Sequence, residues 1–171
     1  TALAGPRQGA PTPCCSDHLS PARTGRNPFA PSMYLLDTNV VSELRKPRPH
    51  GAVLAWMQAV DESALYLSAV SIGEIQAGVE LTREQDPTKA SEIETWLDRL
   101  VETLHVLPMD GASFRAWAQL MHRQSDTLYE DAMIAATAQV HRLTVVTRNV
   151  ADFKALGIQV VNPFQFSAPT D

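Results

Sequence analysis

The chain has 171 residues, with 14 basic and 19 acidic side chains and a formal charge of −5. That balance excludes a basic coat of the kind that binds nucleic acid by neutralising phosphates. No apolar run approaches the roughly 20 residues needed to cross a bilayer, and the length suits one domain with its own core.

The first 32 residues differ from the rest. They are rich in Pro, Gly, Ala and Ser, show no periodicity, and hold both cysteines, Cys14 and Cys15. Met33 is the first methionine and directly precedes an apolar run. Residues 1–32 are therefore expected to be a disordered tail, upstream translated sequence or an expression remnant, with the folded domain at 33–171. The latter span has no cysteine, which excludes disulfides, thiolate catalysis and cysteine-ligated zinc from it. It suits a reducing cytoplasm and no membrane association.

In chain order, Tyr34-Leu35-Leu36 reads as a short apolar strand ending abruptly in Asp37-Thr38-Asn39. A stretch to Leu44 follows, then Arg45-Lys46-Pro47-Arg48-Pro49, whose prolines break a helix. Val53, Leu54, Met57 and Val60 recur at helical spacing. Leu65 to Ser68 is a second strand, running into a helix with Val70, Ile72, Ile75 and Val79 that carries Glu74. Ser71, three positions before Glu74, fits a capping box. After Asp86-Pro87, the residues Ile93, Trp96, Leu97, Leu100, Val101 and Leu104 mark an amphipathic helix. His105 to Pro108 is a third strand. Asp110 caps a helix containing Phe114, Trp117, Leu120 and Met121. A helix over about Leu128 to Arg142 begins with Glu130-Asp131. Leu143 to Thr147 is a fourth strand, with Arg148-Asn149 at its end. A short helix over Asp152 to Leu156 stops at Gly157, and Ile158 to Val161 is the last strand.

Strands alternating with helices predict an α/β fold, a parallel sheet with helices on both faces. In such a sheet all strands end on one edge, where ligands bind. Asp37, Glu74, Asn149 and Asp152 follow strands and are expected there. Asp131 precedes a strand, so its helix must start at that edge for it to join them. Carboxylates brought together repel, and a divalent cation resolves the repulsion. Hard oxygen donors without His or Cys suit Mg²⁺ or Mn²⁺. His50, His105, His122 and His141 show no metal-ligand spacing and read as surface or partly buried residues. Singly, Glu74, Asp131, Asn149 and Asp152 also have plain structural roles as helix caps or turn formers, whereas little in turn chemistry demands Asp37 after an aliphatic strand; the functional reading rests on the set.

The string Leu35-Leu36-Asp37-Thr38-Asn39-Val40-Val41-Ser42-Glu43-Leu44 resembles the opening of PIN-domain nucleases, especially VapC-type toxins of toxin–antitoxin pairs and their FitB-like branch. Ser68 to Gly78, Asp131 to Ala138 and Val146 to Phe153 resemble the family's later motifs, and Val161-Asn162-Pro163 its usual ending. The resemblance runs in order from Met33 to about Phe166. It implies a single PIN domain and a Mg²⁺-dependent endoribonuclease, Mn²⁺ being an alternative ion. Asp37, Glu74 and Asp131 would be the catalytic and metal-binding acids. Asn149 stands where the family has a fourth acid, with Asp152 nearby, leaving one or two metals open. Thr38 and Thr147 would support a carboxylate or the attacking water, and Arg45, Lys46, Arg48 and Arg148 are candidate RNA contacts. The resemblance further implies a homodimer and a cognate antitoxin protein that occludes the site.

Other readings compete; a receiver domain also gathers acids at strand ends, but the acid pair near the N-terminus and the late lysine it needs are not evident here. A haloacid-dehalogenase-like phosphatase also begins with a strand ending in Asp, but needs a second Asp where this chain has Asn39. The last is a PIN fold kept mainly as the partner-binding half of an antitoxin–DNA complex, with little or no catalysis.

Overall fold

The computed structural model describes residues 32–167. The expected tail, Ser32 apart, lies outside the described residues. Five short strands are β1 (Tyr34–Leu36), β2 (Leu65–Ser68), β3 (His105–Leu107), β4 (Thr144–Val146) and β5 (Val160–Val161). They form one fully parallel sheet in the order β3-β2-β1-β4-β5. The helices between them are α1 (Thr38–Leu44), α2 (Gly51–Ala59), α3 (Ala69–Arg83), α4 (Pro87–Thr103), α5 (Gly111–Leu120), α6 (Tyr129–His141) and α7 (Val150–Ala155).

The two-residue period of a strand divides the core. Leu36, Leu65, Leu67 and Val146 face one side and pack with Val40, Val53, Trp56, Ile75, Val79, Ile93 and Leu97 from α1 to α4. Leu35 and Val145 face the other side and meet Ala132, Ile134, Ala135 and Ala138 of α6, with Phe153 and Leu156 beyond. The small alanines let α6 lie close on the sheet, which matters for where Asp131 ends up. Because helices cover both faces, the central strands are apolar throughout instead of alternating.

Several expectations shift at element ends. The last short helix starts at Val150, not Asp152, so Asp152 lies in its first turn. Gly157 stops it with φ +73, a conformation that suits glycine. Ser71 is not a cap: Ser68 is the N-cap of α3, its hydroxyl accepting from the Val70 N–H at 3.2 Å. Ser71 is instead buried inside α3 with a hydroxyl that has no partner. Leu54, Val101 and Phe114 fit the helical spacing yet are exposed; Trp56, not Leu54, anchors α2. The cap on α5 forms as expected, Asp110 accepting from Ser113 N–H at 2.8 Å.

Candidate active site

The β1–β4 pairing puts Leu36 opposite Val146, so Asp37 and Thr147 leave the sheet side by side. The Asp37 N–H donates to Val146 O at 3.0 Å, extending the ladder by one bond. Asp37 occupies the N-cap position of α1, but its carboxylate caps nothing there. It accepts instead from the Thr147 hydroxyl at 2.6 Å and from the Asn39 side-chain amide. It is 3% exposed. Burial pushes its pKa up to about 6, with Asp131 and Glu74 adding repulsion and the Thr147 hydroxyl opposing the rise.

Glu74 lies in the second turn of α3. The Thr38 hydroxyl donates to it at 2.5 Å. Half-buried, it is held above the usual range by desolvation, and Glu130 and Asp131 contribute repulsion. Asp131 arrives from the first turn of α6, whose N-terminus is therefore at the carboxyl edge of the sheet. Desolvation and the charge of Asp152 raise its pKa as well.

Asn149 stands between Asp131 and Asp152. Its side-chain nitrogen donates to Asp131 at 2.9 Å and to Asp152 at 2.6 Å. Its backbone N–H donates to the Thr147 hydroxyl at 2.8 Å. Thr147 is thus a relay: it donates to Asp37 and accepts from Asn149 and, at 3.1 Å, from Asn39.

The structure therefore brings together Asp37, Glu74, Asp131, Asn149 and Asp152, with Thr38 and Thr147 holding two of the acids. Each acid feels its neighbours' charge, yet among the described residues no three acidic or histidine side chains close into a metal-holding group. Each is turned toward a hydroxyl or amide donor. None of Asp37, Glu74 or Asp131 has a Lys or Arg partner among the described residues. The donor set is hard oxygen with uncompensated negative charge, which fits Mg²⁺ or Mn²⁺ and not a thiophilic ion.

Arg45, Lys46 and Arg48 are exposed in the α1–α2 loop, with Lys46 engaged by Glu43 at 2.6 Å. Sequence reasoning missed Glu43. It is a buried carboxylate that also accepts from the His50 N–H at 3.0 Å and so fastens both ends of this loop. The Lys46 ammonium holds its pKa below the usual carboxylate range. Phe164 was missed too: the Arg148 guanidinium lies 5.2 Å from its ring centroid. Asn39, expected in the opening motif but with no role of its own, contacts Asp37, Thr147 and the Arg148 backbone.

Residues 34–158 match the PIN domain family. The chain is 37% identical to the VapC ribonuclease Y4jK of Sinorhizobium fredii over 145 residues, 78% of this chain and 99% of the relative. It is 34% identical to toxin FitB of Neisseria gonorrhoeae over 139 residues, 77% of this chain and 99% of the relative. Among solved structures, FitAB bound to an IR36 DNA fragment superposes with a TM-score of 0.69 at 32% identity, covering 80% of this chain and 99% of the other. With the sheet order, the acid edge and these matches in agreement, the chain belongs to the PIN domain family, among its VapC and FitB relatives.

Proposed function

We propose that the protein is a divalent-metal-dependent endoribonuclease and the toxin half of a toxin–antitoxin pair. The observation that carries this reading is the convergence of Asp37, Glu74 and Asp131 from three separate elements, with raised pKa values and no cationic partner among the described residues. A fold has no structural use for three adjacent unpaired acids, since their repulsion destabilises it. The names of the relatives, a VapC ribonuclease and a toxin, support the same reading.

In this reading Asp37, Glu74 and Asp131 would hold Mg²⁺, or Mn²⁺ in its place, with Asn149 and Asp152 as further oxygen donors nearby. The ion, when bound, lowers the pKa of a water and neutralises charge at the scissile phosphate. The chain's own part is positional. Thr147 and Asn39 fix one oxygen of Asp37, leaving the other to act. Thr38 orients Glu74 toward the same edge. Asn149 draws Asp131 and Asp152 together without adding negative charge. A carboxylate with a raised pKa is also suited to take a proton from the attacking water.

The partner would be an antitoxin, as the FitAB complex supports, and the assembly would be a homodimer. Among the described residues no helix is long and apolar enough to cross a membrane. The test is incubation of the purified protein with RNA, tRNA included, and Mg²⁺. Cleavage that Asp37→Ala reduces about a thousandfold or more is expected. Equal cleavage by both proteins would refute the assignment. No cleavage by either would favour a partner-binding role.

A further inference from the structure

One buried carboxylate stands outside the acid edge and has no part in the chemistry proposed there. Glu43 lies in the last turn of α1 and is 6% exposed. A buried carboxylate is costly unless charged and hydrogen-bonding partners surround it. Glu43 has both kinds. Its Oε2 accepts from the Lys46 ammonium at 2.6 Å, and its Oε1 accepts from the His50 N–H at 3.0 Å. The two partners bracket the loop Lys46-Pro47-Arg48-Pro49-His50. The prolines stiffen this loop, so holding its ends holds its middle. Arg45 and Arg48 have no carboxylate partner among the described residues, whereas the Lys46 charge is spent on Glu43.

The His50 anchor leads back to the acid edge. His50 is the N-cap of α2, and its ring meets that of Phe164 at 5.4 Å and 55°. The Phe164 ring carries the Arg148 guanidinium at 5.2 Å. The Arg148 N–H donates to Asn39 at 3.1 Å, and the Asn39 amide donates to Asp37. Since α1 runs from Asn39 to Glu43, these contacts close a ring through α1, Glu43, His50, Phe164 and Arg148. Glu43 is the buried charge in that ring.

We propose that Glu43 is a positioning residue, a role that rests on the nuclease reading. It sets the α1–α2 loop against the Phe164 turn and so fixes where Arg45 and Arg48 stand relative to the acid edge. The bond to the His50 N–H is the essential half. Lys46 is 56% exposed, where an ion pair contributes little. Loss of Glu43 frees the loop and leaves the site acids in place, because Asp37, Glu74 and Asp131 are held by Thr147, Thr38 and Asn149.

Trypsin reads the loop directly. Lys46 and Arg48 each precede a proline, which blocks cleavage, so Arg45–Lys46 is the susceptible bond, cut when the loop opens. In the full chain without RNA, Glu43→Ala should be cut there about tenfold faster than the parent. Glu43→Gln, whose side-chain oxygen still accepts from the His50 N–H, should return the rate to within about threefold. His50→Pro leaves Glu43 in place, suits the backbone φ of −62 and removes the N–H, so it should be cut about as fast as Glu43→Ala. With RNA and Mg²⁺, Glu43→Ala should raise KM about fivefold with kcat within about twofold, and Glu43→Gln should restore KM. An unchanged tryptic rate in Glu43→Ala and His50→Pro would overturn the proposal. So would a fall in kcat at constant KM, or a KM that Glu43→Gln fails to restore. Absence of Asp37-dependent cleavage by the parent would mark failure of the nuclease reading, and the tryptic comparison would still decide whether Glu43 holds the loop.

Discussion

The acid edge has two ends built differently. At the β1 end, Asp37 is dry, 3% exposed, and fixed by a hydroxyl and an amide. At the α6–α7 end, Asp131 and Asp152 are half-buried and bridged by the neutral Asn149. The first end is rigid and electrostatically expensive. The second is wetter and has one negative charge fewer than three acids would give. On the proposed reading the contrast would divide the labour: Asp37 would fix where charge must be neutralised, and the Asn149 end would adjust how strongly.

The largest expected effect comes from removing the charge at the dry end. The folded pKa of Asp37, about 6, is above its ordinary value of 3.8. Between those values the folded state binds the extra proton, so stability falls as pH rises through this window. The contribution is fully present below about pH 4 and lost above pH 6, on the order of 3 kcal/mol at most. Glu74 and Asp131, also raised, act with the same sign. Metal-free protein should therefore melt at a lower temperature at pH 7.5 than at pH 5. Asp37→Asn, which still accepts from Thr147 and Asn39, should flatten that dependence and raise stability at pH 7.5 while abolishing cleavage. A steep fall retained in Asp37→Asn, followed by thermal melts across pH, would mean that Asp37 is not the costly group.

A smaller effect is expected at the other end. Asn149→Asp replaces the amide that donates to Asp131 and Asp152 with a third carboxylate. Metal-free stability should drop by about 1 kcal/mol, and Mg²⁺ affinity should rise severalfold as charge accumulates. Calorimetric titration of both proteins measures this. If Asn149→Asp binds Mg²⁺ no better, the two ends do not differ in the way described.

Much of this was legible in the sequence, for reasons that separate the residues. Asp37 was readable because an aliphatic strand ending in a carboxylate has one natural destination in a parallel sheet. Asp131 was not readable from strand order, because it precedes β4; its position depends on α6 starting at the carboxyl edge, as a helix running antiparallel to the strands into β4 does. Glu74 sat in the right helix, but the capping role offered for it through Ser71 belongs to Ser68. Asn149 follows β4 directly, as its place in the chain dictates, while the direction of its amide, toward two acids at once, is a tertiary fact with no local signature. Phe164 and Glu43 gave no signal beyond a turn-forming Asn162-Pro163 and an ordinary helical acid. Their partners, Arg148 and the His50 backbone, are met only once the chain has folded.

The central claim is that Asp37, Glu74 and Asp131 together hold a divalent cation. The direct measurement is calorimetric titration of Mn²⁺ or Mg²⁺ into the native protein and into Asp131→Asn, with circular dichroism confirming that the variant is folded. The account predicts saturable binding by the native protein and at least a tenfold loss of affinity in Asp131→Asn. Equal affinity in the two folded proteins would contradict it.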